Sequence, residues 1–393
     1  MTNTLSPETK AIVSATVPAL ELHGKQVVAT MHQHLLADPE IRALFNQSHQ
    51  KGDSPQHAAL TNAILGYAKN IENLAVLGPV MDRIVNKHVG LQIKSDHYVH
   101  VANALLKAIA DVLGEAATPE ILNAWGEAYW FLANLLIDAE GNIYKQIAAT
   151  DGGWEGFRDF RIAEIREESE TIKSFVLRPV DGGSVMCHKP GQYLSFAFDR
   201  EETGQARRNY TISCGPNSEH YRITVKREPG GKVSGWLHEG AIVGDILNVA
   251  ATAGEFFLAP EKQEIVLLSA GVGLTPMVSM LESLSGSNAK TTFVHATLNG
   301  KTHAMGAHSK ALASRSVVFY EDPEDSDTVN YDVAGRVSPD WLAANTNLAL
   351  SDYYICGPSG FMAMAIKGLR DAGVSMDRIH FEFFGPAEDL GAA

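Results

Sequence analysis

Three hydrophobic periods follow one another along this chain, and together they restrict its fold more than any single motif does. Up to about residue 147, apolar side chains recur every three to four positions, the spacing of amphipathic helices. From Trp154 the spacing drops to two, in short segments broken by Gly, Pro and Asp. From about Glu264, buried apolar runs alternate with helical stretches, the pattern of a parallel sheet covered on both faces. A chain of 393 residues is too long for one ordinary core. The expectation is a multidomain protein: an all-α domain over 1–147, an antiparallel β-barrel over 148–262 and an α/β parallel-sheet domain over 263–393.

The finer pattern fills in each part. Ser6 is a good N-cap with Pro7 behind it, and Ile12, Val13, Val17 and Leu20 then share one helical face. The turn-rich Thr150-Asp151-Gly152-Gly153 ends the helical part. Six alternating segments, 157–165, 171–180, 192–198, 208–213, 220–226 and 246–250, are the barrel strands. Strands at 265–269, 292–297, 317–320, 352–356 and 379–384 build the parallel sheet.

Composition excludes several partners. A formal charge of −14 argues against nucleic acid or an anionic membrane. Cys187, Cys214 and Cys356 have no paired spacing, which suggests a reducing compartment and no thiolate metal site. The N-terminus has neither the basic start nor the apolar run of a signal peptide, and no stretch is apolar enough to span a bilayer. A monomeric, cytoplasmic protein without stable membrane association is expected.

Five stretches carry chemistry. Arg207-Arg208-Asn209-Tyr210-Thr211-Ile212-Ser213 comes after the strand holding Tyr193. It offers a guanidinium for a phosphate, a phenol for a flat ring and a hydroxyl for that ring's edge. Gly230-Gly231-Lys232-Val233-Ser234 then opens a short helix, so Gly231, Val233 and Ser234 can hold a pyrophosphate through backbone N–H groups. The pair resembles the flavin site of the ferredoxin-reductase superfamily. Ala270-Gly271-Val272-Gly273-Leu274-Thr275-Pro276 lies between strand and helix, where glycines let a backbone approach a phosphate. It is not the Rossmann fingerprint, because Pro276 stands where the third Gly belongs and no acidic residue ends the next strand to hold a ribose. Cys356-Gly357-Pro358 ends another strand, and the two turns together resemble the nicotinamide half of the same superfamily. There Cys356 is a wall beside the nicotinamide rather than a nucleophile. The last strand closes with Glu382-Phe383-Phe384-Gly385-Pro386. By the same resemblance Phe384 covers the flavin and Glu382 lies near its ring.

In the helical part, His88 points with the apolar face of Val80 and Ile84. A lone histidine there is by default a core residue. As an iron ligand it would need Nε2 for the metal and Nδ1–H tied to an acceptor, for which Tyr98 on the next helix is placed. Phe45 matches the pocket corner of globins, and Leu60 lies on the helix facing His88 across a flat cofactor.

Asn86-Lys87-His88, the Asn134-Leu135-Leu136-Ile137-Asp138 helix, Gly152-Gly153-Trp154 and both reductase stretches together resemble one family, the bacterial flavohemoglobins. The resemblance spans essentially the whole chain. It implies a heme b globin with His88 on iron, an FAD barrel and an NAD(P)H domain, and it leaves NADH or NADPH open. The implied activity is nitric oxide dioxygenation, nitric oxide and oxygen giving nitrate. Hydride arrives as an electron pair and iron takes single electrons, so the flavin domain is central. Lys87 is expected near the flavin or a heme propionate. The alternative is an oxygen-binding or sensing heme protein kept ferrous by its own reductase, although no output domain is evident.

Two departures from the family are expected. His32 falls where the family has an oxygen-binding Tyr, with Gln56 a second donor, so oxygen dissociation should depend on pH between about 5 and 8. Asn142 falls where the family has a Glu behind the iron-bound His. The electron push on iron should then be weaker, with Asp138 a partial substitute.

Overall fold

The computed structural model describes residues 4–44, 55–259 and 263–384, which form two compact units dividing after Ala149. The first unit is helical: α1 (Pro7–Ala15), α2 (Val17–Leu35), α3 (Pro39–Leu44), α4 (Pro55–Lys69), α5 (Gly78–Leu91), α6 (His97–Leu113) and α7 (Pro119–Ala149). Ser6 Oγ accepts the Thr9 N–H at 3.0 Å and starts α1 as its sequence predicts. α2 crosses α4 closely at Gly24, where a Cβ would come within 3.2 Å of the Thr61 methyl. Val27, Met31, Ile71, Leu105 and Trp125 make the main core. A smaller one, Val85, Val89, Tyr98, Ala133 and Leu136, forms where α5, α6 and α7 meet around His88.

The second unit opens with an antiparallel sheet of β1 (Phe157–Ser169), β2 (Ile172–Pro179), β3 (Tyr193–Arg200), β4 (Gly204–Thr211), β5 (Tyr221–Lys226) and β6 (Ile246–Ala250), in the order β4-β3-β6-β1-β2-β5. Its edges meet just past β4, through an Ile212–Ile223 bridge and a Ser213 N–H bond to the Arg222 carbonyl of 2.7 Å, so the sheet closes into the expected barrel. β1 runs on to Ser169, past its sequence-predicted end at Ile165. Register shifts after Ile162 and Glu167 break the apolar alternation while the ladder to β2 continues. The helix read from Gly-Gly-Lys-Val-Ser is α8 (Lys232–Glu239).

A parallel sheet completes the chain, ordered β10-β9-β8-β7-β11-β12, from β7 (Glu264–Ala270), β8 (Lys290–Thr297), β9 (Arg315–Tyr320), β10 (Val333–Ala334), β11 (Asp352–Cys356) and β12 (Ile379–Glu382). α9 (Leu274–Leu284) covers one face through Met277, Met280 and Leu281 against Leu267 and Phe293. α10 (Gly306–Leu312), α11 (Pro339–Asn345) and α12 (Ser359–Asp371) complete the α/β layers, with α12 on the opposite face. The sheet order reverses between β7 and β11, the switch point where open parallel sheets take ligands. Both glycine turns lie at that point.

Candidate functional site

α5 places His88 in its last turn, and two helices converge behind the ring. His88 Nδ1 lies 2.7 Å from Glu140 Oε1 and 3.0 Å from Tyr98 Oη, and the Tyr98 hydroxyl donates to the same carboxylate oxygen at 2.6 Å. Glu140 is 2 % exposed and Tyr98 5 %. A carboxylate only accepts, so Nδ1 carries the proton and Nε2 keeps its lone pair. Nε2 makes no hydrogen bond among the described residues. Burial and the Glu140 bond hold the Tyr98 hydroxyl far above its ordinary range, fully protonated. Tyr129 donates to the Tyr98 carbonyl at 2.7 Å and Tyr144 to the Ile93 carbonyl at 2.9 Å, fixing the backbone around the group. An oriented imidazole with a basic second partner is the donor set a heme iron needs, so these residues fit the group.

This geometry corrects the expectation for Asn142. Glu140 is the carboxylate behind the histidine, whereas Asn142, two residues on, turns to solvent, as does Asp138. A count along the chain is two positions out of register here, and the supposed departure disappears. A signal for Glu140 exists in the sequence: Tyr129, Ala133, Leu136 and Glu140 recur at helical spacing on α7, so Glu140 is a carboxyl on an apolar stripe.

His32 lies buried on α2, with Nδ1 3.1 Å from the Val28 carbonyl and its ring 4.3 Å from that of His57. The carbonyl fixes the proton on Nδ1, so Nε2 of the neutral ring accepts and does not donate. Burial pushes His32 below its ordinary 6.5 against the Val28 bond, and His57 adds to the effect. The pH response expected from sequence therefore moves to the acid side. Oxygen dissociation should be flat from about pH 7 to 8 and slow below the ordinary value, where a second proton supplies a donor. Stopped-flow oxygen release of the wild type and His32→Phe checks this; a change confined to pH 7–8 would exclude His32. His34 faces Asp111 at 2.8 Å, away from that position. Leu60 packs half-buried on the helical core and Lys87 is exposed on α5. The Gln56 backbone lies in α4, while its side chain and Phe45 fall outside the described residues.

In the second unit, β3 and β4 bring the flavin-motif residues together. Ser195 Oγ donates to Asn209 Oδ1 at 2.7 Å, and the Tyr210 ring meets Phe196 edge-on at 5.6 Å. Burial lowers the Arg208 guanidinium, which favours an anionic partner, and raises the Tyr210 and Tyr193 phenols. Glu382 and Glu255 add to the rise at Tyr193, so the first flavin strand and the end of the last strand share one electrostatic neighbourhood. At the start of α8, a Cβ on Gly231 would fall 2.5 Å from Ser234 Oγ, so the chain is bare where Val233 and Ser234 are buried. A desolvated cation on β4 and a bare backbone at the start of α8 are each groups that fit an FAD diphosphate.

The nicotinamide turns interlock backbone to backbone. Gly271 has φ +53°, the left-handed region that favours glycine. A Cβ on Gly273 would fall on the Cys356 carbonyl and within 2.8 Å of the Gly357 nitrogen. Thr275 Oγ1 donates to the Val272 carbonyl at 3.1 Å, and Leu274, Thr275 and Pro276 are buried in the first turn of α9. Pro358 caps α12. Cys356 is fully buried, with Ser269 and Glu382 as its neighbours in register. Burial, reinforced by Glu382, pushes its thiol well up, so it is a wall and not a thiolate. Phe383 packs on the sheet core and Phe384 is 47 % exposed beyond β12; Gly385 and Pro386 lie outside the described residues.

Sequence reasoning passes over a buried histidine row. His295 Nδ1 lies 2.9 Å from Ser269 Oγ, and its ring stacks between Phe293 and His303, whose Nδ1 lies 2.8 Å from the Tyr320 hydroxyl. Burial drives His295 down to about 3 and His188, in the loop before β3, to about 4. Both are neutral when folded, so the unfolded chain binds protons first, and stability falls as pH drops from 6.5 towards these values. For His188 alone the loss by pH 4 is about 3 kcal/mol. Calorimetry should show the second unit melting progressively earlier over that range; an acid-insensitive midpoint would contradict the buried, neutral state.

A globin-type histidine site, a flavin barrel and a nicotinamide sheet in one chain define a heme–flavin oxidoreductase. Residues 28–135 match the globin family, 159–258 the oxidoreductase FAD-binding domain and 267–367 the oxidoreductase NAD-binding domain. A flavohemoprotein of Xylella fastidiosa is 48% identical over 401 residues, covering 100% of both chains. One of Chromobacterium violaceum is 43% identical over 407 residues, covering 98% of this chain and 100% of the relative. The flavohemoglobin from Malassezia yamatoensis with bound FAD and heme superposes with a TM-score of 0.82 at 25% identity, covering 97% of this chain and 100% of that one. The FAD/NAD-binding domain of nitric oxide dioxygenase from Vibrio cholerae gives 0.54 at 36% identity, covering 59% of this chain and 100% of that one. The chain belongs to the flavohemoprotein family, and its cofactors are heme, FAD and a nicotinamide dinucleotide. No helix among the described residues is long and apolar enough to cross a membrane.

Proposed function

We propose that this chain is a nitric oxide dioxygenase, which takes electrons from NADH or NADPH and converts nitric oxide and oxygen to nitrate. The observation that carries the reading is the Glu140 carboxylate bonded to both His88 Nδ1 and Tyr98 Oη. A globin that only stores oxygen has no need of a buried anion behind its histidine. An enzyme that must activate oxygen gains from one, because it makes the imidazole a stronger electron donor. When bound, heme supplies the oxygen-binding iron, FAD the conversion from electron pairs to single electrons and the nicotinamide the hydride.

The chain's own groups orient and insulate. Glu140 accepts the bond from the Nδ1 proton, so Nε2 is left free to hold a metal, and Tyr98 adds a second donor to the same carboxylate oxygen and so restrains it. Arg208 and the start of α8 would anchor phosphate charge, while the protonated Cys356 thiol presents an apolar surface without competing as a nucleophile. The full-length relatives named flavohemoproteins and the matching domain of the Vibrio cholerae dioxygenase support the reading. The test is nitrate formed from nitric oxide by the purified, cofactor-loaded chain with NADH and oxygen. Stoichiometric nitrate is expected; NADH oxidation without nitrate overturns the proposal.

A further inference from the structure

α9 starts at the glycine turn beside Cys356, and its later turns lean on the barrel. Ser279 Oγ donates to the Cys214 carbonyl at 2.7 Å, and His188 Nε2 lies 3.0 Å from that carbonyl. One turn on, Glu282 Oε2 accepts the Gly215 N–H at 2.6 Å, while Oε1 accepts from Arg222 Nη2 and His308 Nε2, each at 2.7 Å. Arg222, buried on β5, also donates to the Ser213 carbonyl. A Cβ on Gly215 would come within 2.9 Å of the Glu282 Cβ, so the approach is as close as backbone allows. Ser213-Cys214-Gly215 directly continue the strand that carries Arg208, Tyr210 and Thr211.

The same helix therefore ends one way in the nicotinamide turn and is bolted the other way to the flavin strand. Roughly nine residues of helix, about 13 Å, separate Gly273 from Glu282. Over that length α9 is stiff, and a shift at the bolt becomes a shift at the turn. Burial raises the Glu282 carboxyl, but the Arg222 charge, the Gly215 N–H and His308 outweigh it and hold it below the ordinary range. The anchor is thus anionic, with charge-assisted bonds that are shorter and stronger than neutral ones.

We propose that Glu282 is a positioning residue for hydride transfer: by clamping residues 213–215 to α9, it fixes how far the nicotinamide-holding turn stands from the flavin-holding strand. The step served breaks a C–H bond of the reduced nicotinamide and forms an N–H bond on the flavin. Both electrons travel with the hydrogen, so the nicotinamide is oxidised, the flavin reduced and no further reactant is needed. The inference rests on the oxidoreductase assignment and not on the nitric oxide reading.

The test uses the full-length, FAD-loaded chain with Glu282→Gln, and Arg222→Lys as a second variant that keeps the charge but loses the planar fork. Anaerobic mixing with NADH should show flavin bleaching slowed by about tenfold at saturation, within the roughly hundredfold cost of a 1 Å misplacement. The half-saturating NADH concentration should change by less than about twofold, because binding contacts are untouched. Hydrogen exchange at the Gly215 amide should quicken in Glu282→Gln, with FAD content and the unfolding midpoint retained. An unchanged bleaching rate despite faster exchange overturns the proposal. So does a loss that only tracks released FAD or a lowered midpoint, or one that falls on half-saturation alone. A wild-type flavin that neither NADH nor NADPH bleaches overturns the oxidoreductase assignment, and the clamp with it, whereas missing nitrate touches neither.

Discussion

Glu140→Gln is expected to raise the ferric/ferrous midpoint potential of the heme by on the order of 50 mV and to slow nitric oxide turnover. One hydrogen bond sets the size of the effect. A charged acceptor on an imidazole N–H is worth roughly 1.5–3 kcal/mol, and a neutral one about 0.5–1.5 kcal/mol. The difference acts mainly on the ferric state, which gains most from an electron-rich ligand, and about 1.4 kcal/mol corresponds to roughly 59 mV for one electron. Tyr98→Phe should shift the potential by less and in the opposite direction, since losing a donor leaves the Glu140 charge less neutralised and a stronger acceptor for the His88 N–H. Asn142→Glu should do nothing, because that position faces solvent. A spectroelectrochemical titration of the three variants decides the matter. Equal potentials for Glu140→Gln and wild type would show that the carboxylate does not act on the iron.

Gly273→Ala is expected to disable the second unit. The added carbon would land on the Cys356 carbonyl and beside the Gly357 nitrogen, backbone atoms at the end of β11, which is paired along its length with the β7 strand leading into Gly273. Neither strand can yield without breaking a ladder, so the cost should reach about 3 kcal/mol or more, at the upper end of overpacking. The turn itself would move by something near ~1 Å, which predicts nicotinamide-dependent flavin bleaching slowed by about a hundredfold. Gly271→Ala, strained only through its φ of +53°, should cost roughly 1–2 kcal/mol and leave more activity. Unfolding midpoints and anaerobic bleaching rates measure both. A Gly273→Ala protein indistinguishable from wild type would mean that the two turns do not interlock.

Much of the fold and part of the site are legible in the sequence because each part repeats a physical period. Helical spacing places His88 on an apolar face, and the paired turns at Gly271 and Cys356 lie at strand ends that the buried runs locate. The losses have identifiable causes. Glu140 escapes because alignment counts along the chain, whereas α7 brings groups together by rotation, and two residues along a helix reach nearly the opposite side. β10 and α11 escape because two residues of strand and seven of helix carry too few apolar positions to show a period. The Glu282 clamp and the His295 stack depend on side chains from elements 60 or more residues apart, or on rings crossing between strand and loop. No local pattern encodes them.

The dioxygenase reading requires electrons to pass from nicotinamide through flavin to a heme held by His88 within one chain. The most direct measurement is anaerobic mixing of the purified, cofactor-loaded protein with NADH under carbon monoxide, recorded across the visible spectrum. Flavin bleaching followed by the Soret shift of a carbonylated ferrous heme is the predicted result, with the heme band missing in His88→Ala. Flavin that bleaches fully while the Soret band stays ferric would contradict it.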